Sequence, residues 1–396
     1  MTAIAPQSTG ARGPIPFWAA AHEVVFDAFT SDTWTPGAAT KNMFQGGLSQ
    51  IKPYPFLKYL WIKITSSGGG GTGNVATDYP GSLIQLFRFQ DPNGHAIIDT
   101  DGQGLWWLNK YGSHAWLGDP AKLPNFSSTA ASPQVSFYVP FQFSTLGVGS
   151  LPNMDASGPY RIFFTGNTSA GIYSTNPATT IPLLTANVGL EAWSLPGPMS
   201  RVNGQPQVQA PPPLDRGVVL VREFTKQQFS IQSGGGLQTI RLTRVGNILM
   251  KLILVLRNSS SARIDWIANI ASGSTVQIAF DTNPLRQIDP QHQIEMMMRR
   301  RSSGFSYDTG LLVIDFDTPH ESGLQTDAFD ANMDQALQTA QSSSIEITCN
   351  YASGAGSGTL EVYTLDVTAT TVTGQPYSFA YAGQLLAPVP PGQIRS

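Results

Sequence analysis

Four things are scarce in this chain of 396 residues. Cysteine occurs once, at Cys349, which excludes an internal disulfide framework. Charged residues make up 12%, about half the ~25% usual in soluble domains, and the net charge is −3. The densest basic run, Arg299, Arg300 and Arg301, is too short to neutralise many phosphates, so specific nucleic-acid binding is not expected. No stretch reaches the roughly 18–20 apolar residues of a spanning helix; the most apolar, ILMKLILVL (248–256), contains Lys251. The first residues, MTAIAPQSTGARGP, have no charged start followed by an apolar core, so no signal peptide is expected and synthesis in the cytosol fits best.

Catalytic patterns are scarce as well. His22, His95, His114, His292 and His320 show no metal-binding spacing, and His95 and His292 read as solvated surface groups. Cys349, inside the strand-like SIEITCNYA, reads as a small buried side chain. The Gly-rich stretches 68–73 and 234–236 lack the Gly-Lys-Ser/Thr ending of a phosphate loop. Asp99 with Asp101, and Asp315 with Asp317, lie two apart and would share a strand face, yet neither has further oxygen ligands nearby in sequence. No catalytic residue, metal or cofactor is implied.

What is present is apolar and β-like. Hydrophobic residues are 41% and aromatics 10%, enough to fill a core and too many for a disordered chain. Strand-like runs separated by turn residues recur: FLKYLWIKITSS (56–67), SLIQLFRFQDPNG (82–94), VSFYVPFQFS (135–144), YRIFFTGNTS (160–169) and TANVGLEAWSL (185–195). After the Pro-rich QPQVQAPPPLDRG (205–217) the pattern starts again. NILMKLILVLRN (247–258), ARIDWIANIASG (262–273), GLLVIDFDTP (310–319), SIEITCNYAS (344–353) and GTLEVYTLDV (358–367) answer the five in order. A helix interrupts each half at the same place: GQGLWWLNKYG (102–112), and IDPQHQIEMMMRRR (288–301) with Asp289 as N-cap and Pro290 at the first helical position. A further helix is expected over PFWAAAHEVV (16–25).

The expected fold is therefore all-β: two tandem eight-stranded jelly-roll barrels with short helices in crossing loops. Its parts are an N-terminal arm or short helix (1–25), a first barrel (26–204), a linker (205–217), a second barrel (218–385) and a tail (386–396). Met296, Met297 and Met298 with Arg299, Arg300 and Arg301 could dock a neighbouring subunit or cover their own barrel. Phe17 and Trp18 could touch lipid or a second subunit, or plug the barrel end. Core packing is the ordinary reading of the tryptophans, with carbohydrate stacking an alternative for Trp106, Trp107 and Trp116.

The stretches LIQLFRFQDPNGHAIIDTDGQGLWWLNKYG (83–112) and LRQIDPQHQIEMMMRRRSSGFSYDTGLLVIDF (285–316) resemble segments of the double jelly-roll major capsid proteins of tectivirus-type, tailless, membrane-containing phages. The resemblance implies a non-enzymatic virion protein that forms homotrimers of six towers and an icosahedral shell around an inner membrane and double-stranded DNA. It also implies minor capsid and vertex proteins as partners, with the N-terminal segment facing the membrane. Pro6, Pro14 and Pro16 depart from the family's longer amphipathic N-terminal helix, so an extended arm under a neighbour is an equal expectation. A trimeric β-sandwich that binds carbohydrate or acts as a receptor-binding spike or vertex protein is the alternative. A glycoside-cleaving form of it would use Asp99, Asp101 or Glu191.

Overall fold

The computed structural model describes residues 21–44, 50–51, 56–112, 119–142, 150–153, 159–194, 201–202, 205–206, 218–243, 247–281, 283–300, 306–316, 337–339, 344–354 and 356–371. Sixteen strands carry the architecture. In the first half these are β1 (His22–Asp27), β2 (Lys41–Met43), β3 (Phe56–Ser67), β4 (Ile84–Gln90), β5 (Ala96–Thr100), β6 (Val135–Pro140), β7 (Arg161–Gly166) and β8 (Leu183–Ser194). In the second they are β9 (Val218–Ile231), β10 (Gly236–Leu242), β11 (Ile248–Asn258), β12 (Val276–Phe280), β13 (Asn283–Ile288), β14 (Leu311–Asp315), β15 (Ile345–Tyr351) and β16 (Gly358–Thr371).

The pairing order of the first half is β1-β8-β3-β6 in one sheet and β5-β4-β7-β2 in the other. The second half repeats it with eight added to every number: β9-β16-β11-β14 and β10-β15-β12-β13. Each half is thus an eight-stranded jelly roll, and the chain is a double jelly roll. Helix α1 (Gly102–Tyr111) joins β5 to β6, and α2 (Pro290–Arg300) joins β13 to β14, so the two helices occupy equivalent crossings.

The halves are stitched together by one sheet. β5, the edge strand of the first half, pairs in parallel with β9, the edge strand of the second, at Ile98↔Phe224 and Asp99↔Thr225. The β9-β16-β11-β14 sheet is consequently buried on both faces. Leu252, Leu254, Leu312, Ile314, Leu360 and Val362 face the second core. Met250, Ile253, Val255, Val313, Tyr363 and Leu365 instead join a cluster continuous with the first core. Double burial explains why β11 reads as an unbroken apolar run: a strand with one wet face would alternate.

Two expectations are corrected. Residues 22–25 belong to β1, whose Glu23 and Val25 pair with Trp193 and Glu191 of β8, so a helix over 16–25 does not form there and the first jelly roll begins before residue 26. The segment 262–273 is not a strand: Trp266–Asn269 forms a single helical turn, held by Asn269 Nδ2 donating to Asp265 O and by buried Trp266 donating from Nε1 to Gly310 O. The strand equivalent to β4 is β12, which starts at Val276. Residues 1–20, with Phe17 and Trp18, and residues 207–217 lie outside the described residues, as do Trp116, Arg301, Asp317 and 372–396.

Candidate functional site

The most built-up polar region lies where the two jelly rolls meet, and α1 is its centre. Asp101 caps the helix, accepting from the Gly104 N–H at 2.8 Å, and Lys110 sits in the last turn. All ten helix residues are buried, Gln103, Asn109 and Lys110 among them. Asn109 ties the helix to β6, donating to Tyr138 O at 2.8 Å and accepting from Tyr138 N at 2.7 Å. Trp107 lies beneath the Arg263 guanidinium, 5.4 Å from ring centre to Cζ.

Charges from the first half meet charges from the second. Lys110 Nζ donates to Asp308 Oδ2 at 2.6 Å, and the Tyr111 hydroxyl donates to the same oxygen at 2.7 Å. Burial first, then the Asp308 charge, pushes the Tyr111 pKa far up, and the hydroxyl also accepts from the Asp308 N–H at 3.1 Å. Fully buried Lys251 donates to Tyr111 O at 2.8 Å and pairs with Asp315. Asp78 bridges Arg257 and Arg263 at 2.6 and 3.0 Å. Arg257 and Lys226 share Glu361, and Lys226 also reaches Asp101 at 2.7 Å. Burial alone lowers the Lys226 pKa, but Asp101 and Glu361 outweigh it and hold the ammonium above its ordinary value. Such a network contributes orientation more than net stability, because desolvation offsets most of the Coulomb gain.

These contacts reassign several sequence candidates. Asp99 pairs with Arg88 at 2.9 Å, Asp101 with Lys226, and Asp315 with Lys251, so each of these three carboxylates is held by a cation. His95, expected as a solvated surface group, is half-exposed but places Nε2 2.8 Å from the buried Glu223 carboxylate across the half boundary. Trp106 and Trp107 are buried in the core, which removes the carbohydrate-stacking alternative for these two. Cys349 is buried, and burial pushes its thiol up to about 12. Among the described residues no group of three or more His, Cys, Asp or Glu side chains is arranged to hold a metal ion. No helix among them is long and apolar enough to cross a membrane.

Among the described residues, the equivalent surfaces of α2 and of the β1-β8-β3-β6 sheet are less covered. In α2, the Gln291 N–H donates to Asp289 Oδ1 at 3.0 Å, Ile294 is buried in the second core, and Met297 is buried in the cluster continuous with the first core. Met296 is half-buried, while Met298 (47% exposed) and Arg299 point outward; Arg300 is the last helical residue. The three methionines are therefore split between the core and solvent. On the β1-β8-β3-β6 sheet, the outward face carries half-buried Tyr59, Trp61, Tyr138 and Trp193 and exposed Val25. A Cβ on Gly189 would lie 2.0 Å from Trp61, so the ring lies flat over the glycine. Beside them Lys58 lies 4.8 Å from the Trp193 ring centre and pairs with Glu23 and Glu191. Glu191 is held above its ordinary pKa by burial and by its hydrogen bond to Glu23, which is lowered in turn by Glu191 and Lys58.

Sequence reasoning missed the inter-half network. The one available signal was charge inside apolar strands: Lys251 in β11, and Arg222 and Glu223 in VVLVREF (218–224).

No protein-family model and no curated protein sequence matches the chain. Solved structures do. The crystal structure of the STIV MCP aligns with a TM-score of 0.60 at 13% identity, covering 93% of this chain and 100% of that one. A quasi-atomic model of the PBCV-1 virus capsid aligns at 0.59 and 11% identity, covering 88% and 94%. The major capsid protein of Bacteriophage PM2 aligns at 0.51 and 10% identity, covering 89% and 100%. At these identities the likeness reports a shared fold along nearly the whole chain.

Proposed function

We propose that this chain is a non-enzymatic virus shell protein that self-associates into homotrimers, each presenting six jelly rolls, which tile an icosahedral capsid. One observation carries the reading: the chain builds a large interface between its two jelly rolls, and no described residue covers the equivalent surfaces of the other sheet and helix. The buried face of β9-β16-β11-β14 corresponds to the aromatic, half-covered face of β1-β8-β3-β6, and buried α1 corresponds to half-exposed α2. A head-to-tail contact between such surfaces is heterologous, and it closes into a ring when the rotation allows. The low charge suits broad interfaces of this kind. Likeness to the STIV, PBCV-1 and PM2 capsid structures supports the same role.

In this reading Met298, Arg299 and their neighbours on α2 meet the next subunit. Residues 1–25 include an arm in which Phe17 and Trp18 face an inner viral membrane or a neighbouring copy. The resemblance noted in the sequence favours a virus of the tectivirus type, whose shells surround an inner membrane and double-stranded DNA. The protein is then a virion component made in the host cytoplasm, with minor capsid and vertex proteins as further partners. Light scattering on the purified full chain tests the core of this. The expected mass is about 127 kDa, three times 42.5 kDa. A monodisperse 42.5 kDa species at micromolar concentration overturns it.

A further inference from the structure

We propose that β13 of one copy pairs in parallel with β1 of the next, so that a β-sheet runs across the subunit boundary as it already does between the halves. The inference rests on the self-association reading and specifies its contact. Within the chain, β5 and β9 form the template, an edge strand of one jelly roll beside an edge strand of the other. Adding eight to β5 gives β13, and subtracting eight from β9 gives β1. Both of these end their sheets, and among the described residues neither has a partner on its outer side.

Burial marks both strands as half of an unmade contact. β5 is mostly buried, whereas Asn283 to Gln287 of β13 are all exposed, Leu285 at 45%. Val221 to Thr225 of β9 are buried, whereas β1 is mostly exposed, with Val25 at 60%. The spacing to the helix is conserved between the halves. Ile98, which pairs with Phe224, stands three residues before the cap Asp101, and Arg286 stands three before the cap Asp289. A strand that ends its sheet is a template for pairing. Pro284 blocks only the start of β13, leaving Leu285 to Ile288 able to pair.

The charges on the two surfaces differ in sign in part: β1 carries Asp27 and Glu23, the latter sharing Lys58 with Glu191 of β8, while β13 and α2 carry Arg286 and Arg299 beside Glu295. Arg286 is held outside the sheet by donating to Asp315 O at 2.7 Å.

Cysteine cross-linking of the full chain tests the pairing directly, because the native Cys349 is buried. Arg286→Cys is combined in turn with Val24→Cys, Val25→Cys and Phe26→Cys, then oxidised mildly and run on a non-reducing gel. Paired strands bring Cα atoms to about 5 Å, inside the disulfide range of about 4.4–6.8 Å. The expected result is a ladder ending at a covalent trimer for at least one combination and for none of the single variants. Trimers by light scattering without any such ladder overturn the β13–β1 pairing and leave the shell reading standing; a monomer throughout overturns both. As a second measure, Val25→Asp is expected to weaken self-association at least tenfold while near-UV circular dichroism shows an unchanged fold. Unchanged association counts against the pairing.

Discussion

The helix after the fifth strand of each jelly roll has the same cap chemistry in both halves but opposite surroundings. Asp101 begins α1 and Asp289 begins α2, yet α1 is enclosed on every side, while α2 buries Ile294 and Met297 and leaves Met298 and Arg299 in water. Its own half covers much of α1, and the second jelly roll of the same chain closes the rest, through Arg263 over Trp107 and Asp308 against Lys110 and Tyr111. Among the described residues nothing does this for α2. A duplicated unit therefore shows what its second copy lacks, and the first copy supplies the pattern of the missing neighbour.

Breaking the buried side of this comparison has the largest effect. Trp107→Ala removes a fully buried ring at the half boundary and is expected to cost about 3–5 kcal/mol in denaturant unfolding. A loss below about 1 kcal/mol would mean that α1 is less essential to the core than its burial indicates. Lys251→Met comes next. It strands Asp315 and releases Tyr111 O, for about 3 kcal/mol. Adding Asp315→Leu should restore most of that, since the pair is then replaced by packing; no recovery would place the loss in Tyr111 O instead.

The third effect separates the halves by chemistry, because the only thiol lies in the second. Its folded pKa, about 12, is raised by burial above the ordinary value of 9.0, so the native state holds this proton more tightly. The stabilisation is complete below pH 9 and is lost as pH rises toward 12. At pH 10 the loss is about 1.4 kcal/mol. Cys349→Val should flatten the difference in unfolding free energy between pH 8 and pH 10 by that amount; an identical pH slope in both proteins would refute it.

The smallest effect on folding falls on the exposed side. Met298→Ala is expected to change monomer stability by less than about 0.5 kcal/mol. Dissociation of the oligomer on dilution, followed by light scattering, should nevertheless shift to higher concentration. A variant that associates like the parent would leave α2 as a simple cover for its own barrel.

Much of the fold was legible because edges and turns announce themselves. FLKYLWIKITSS matches β3 from end to end, and GQGLWWLNKY is α1. Both helices were placed in equivalent crossings, and four of the five strand correspondences hold in the pairing order. The misread pair involved 262–273, where Ile264, Trp266, Ile267 and Ile270 look like a strand, but a local Asp265–Asn269 bond closes a turn. In the sequence HEVV of β1 reads as the end of a helix, and β13 escapes notice, because HEVVFD and NPLRQI are short and largely exposed, so no one-sided apolar alternation marks them. The same exposure makes them the open edges of the molecule.

By itself the sequence determined that the chain is β-rich, duplicated, weakly charged and without a recognisable catalytic pattern. Period, turn chemistry and helix caps are local properties written in neighbouring residues. Only the tertiary structure decided that β5 meets β9, that Asp78 binds two arginines 179 and 185 positions away, and which sheet face the described residues leave open. Those outcomes depend on which surfaces two folded units bring together, and the geometry of that meeting is not encoded in any single window of the chain.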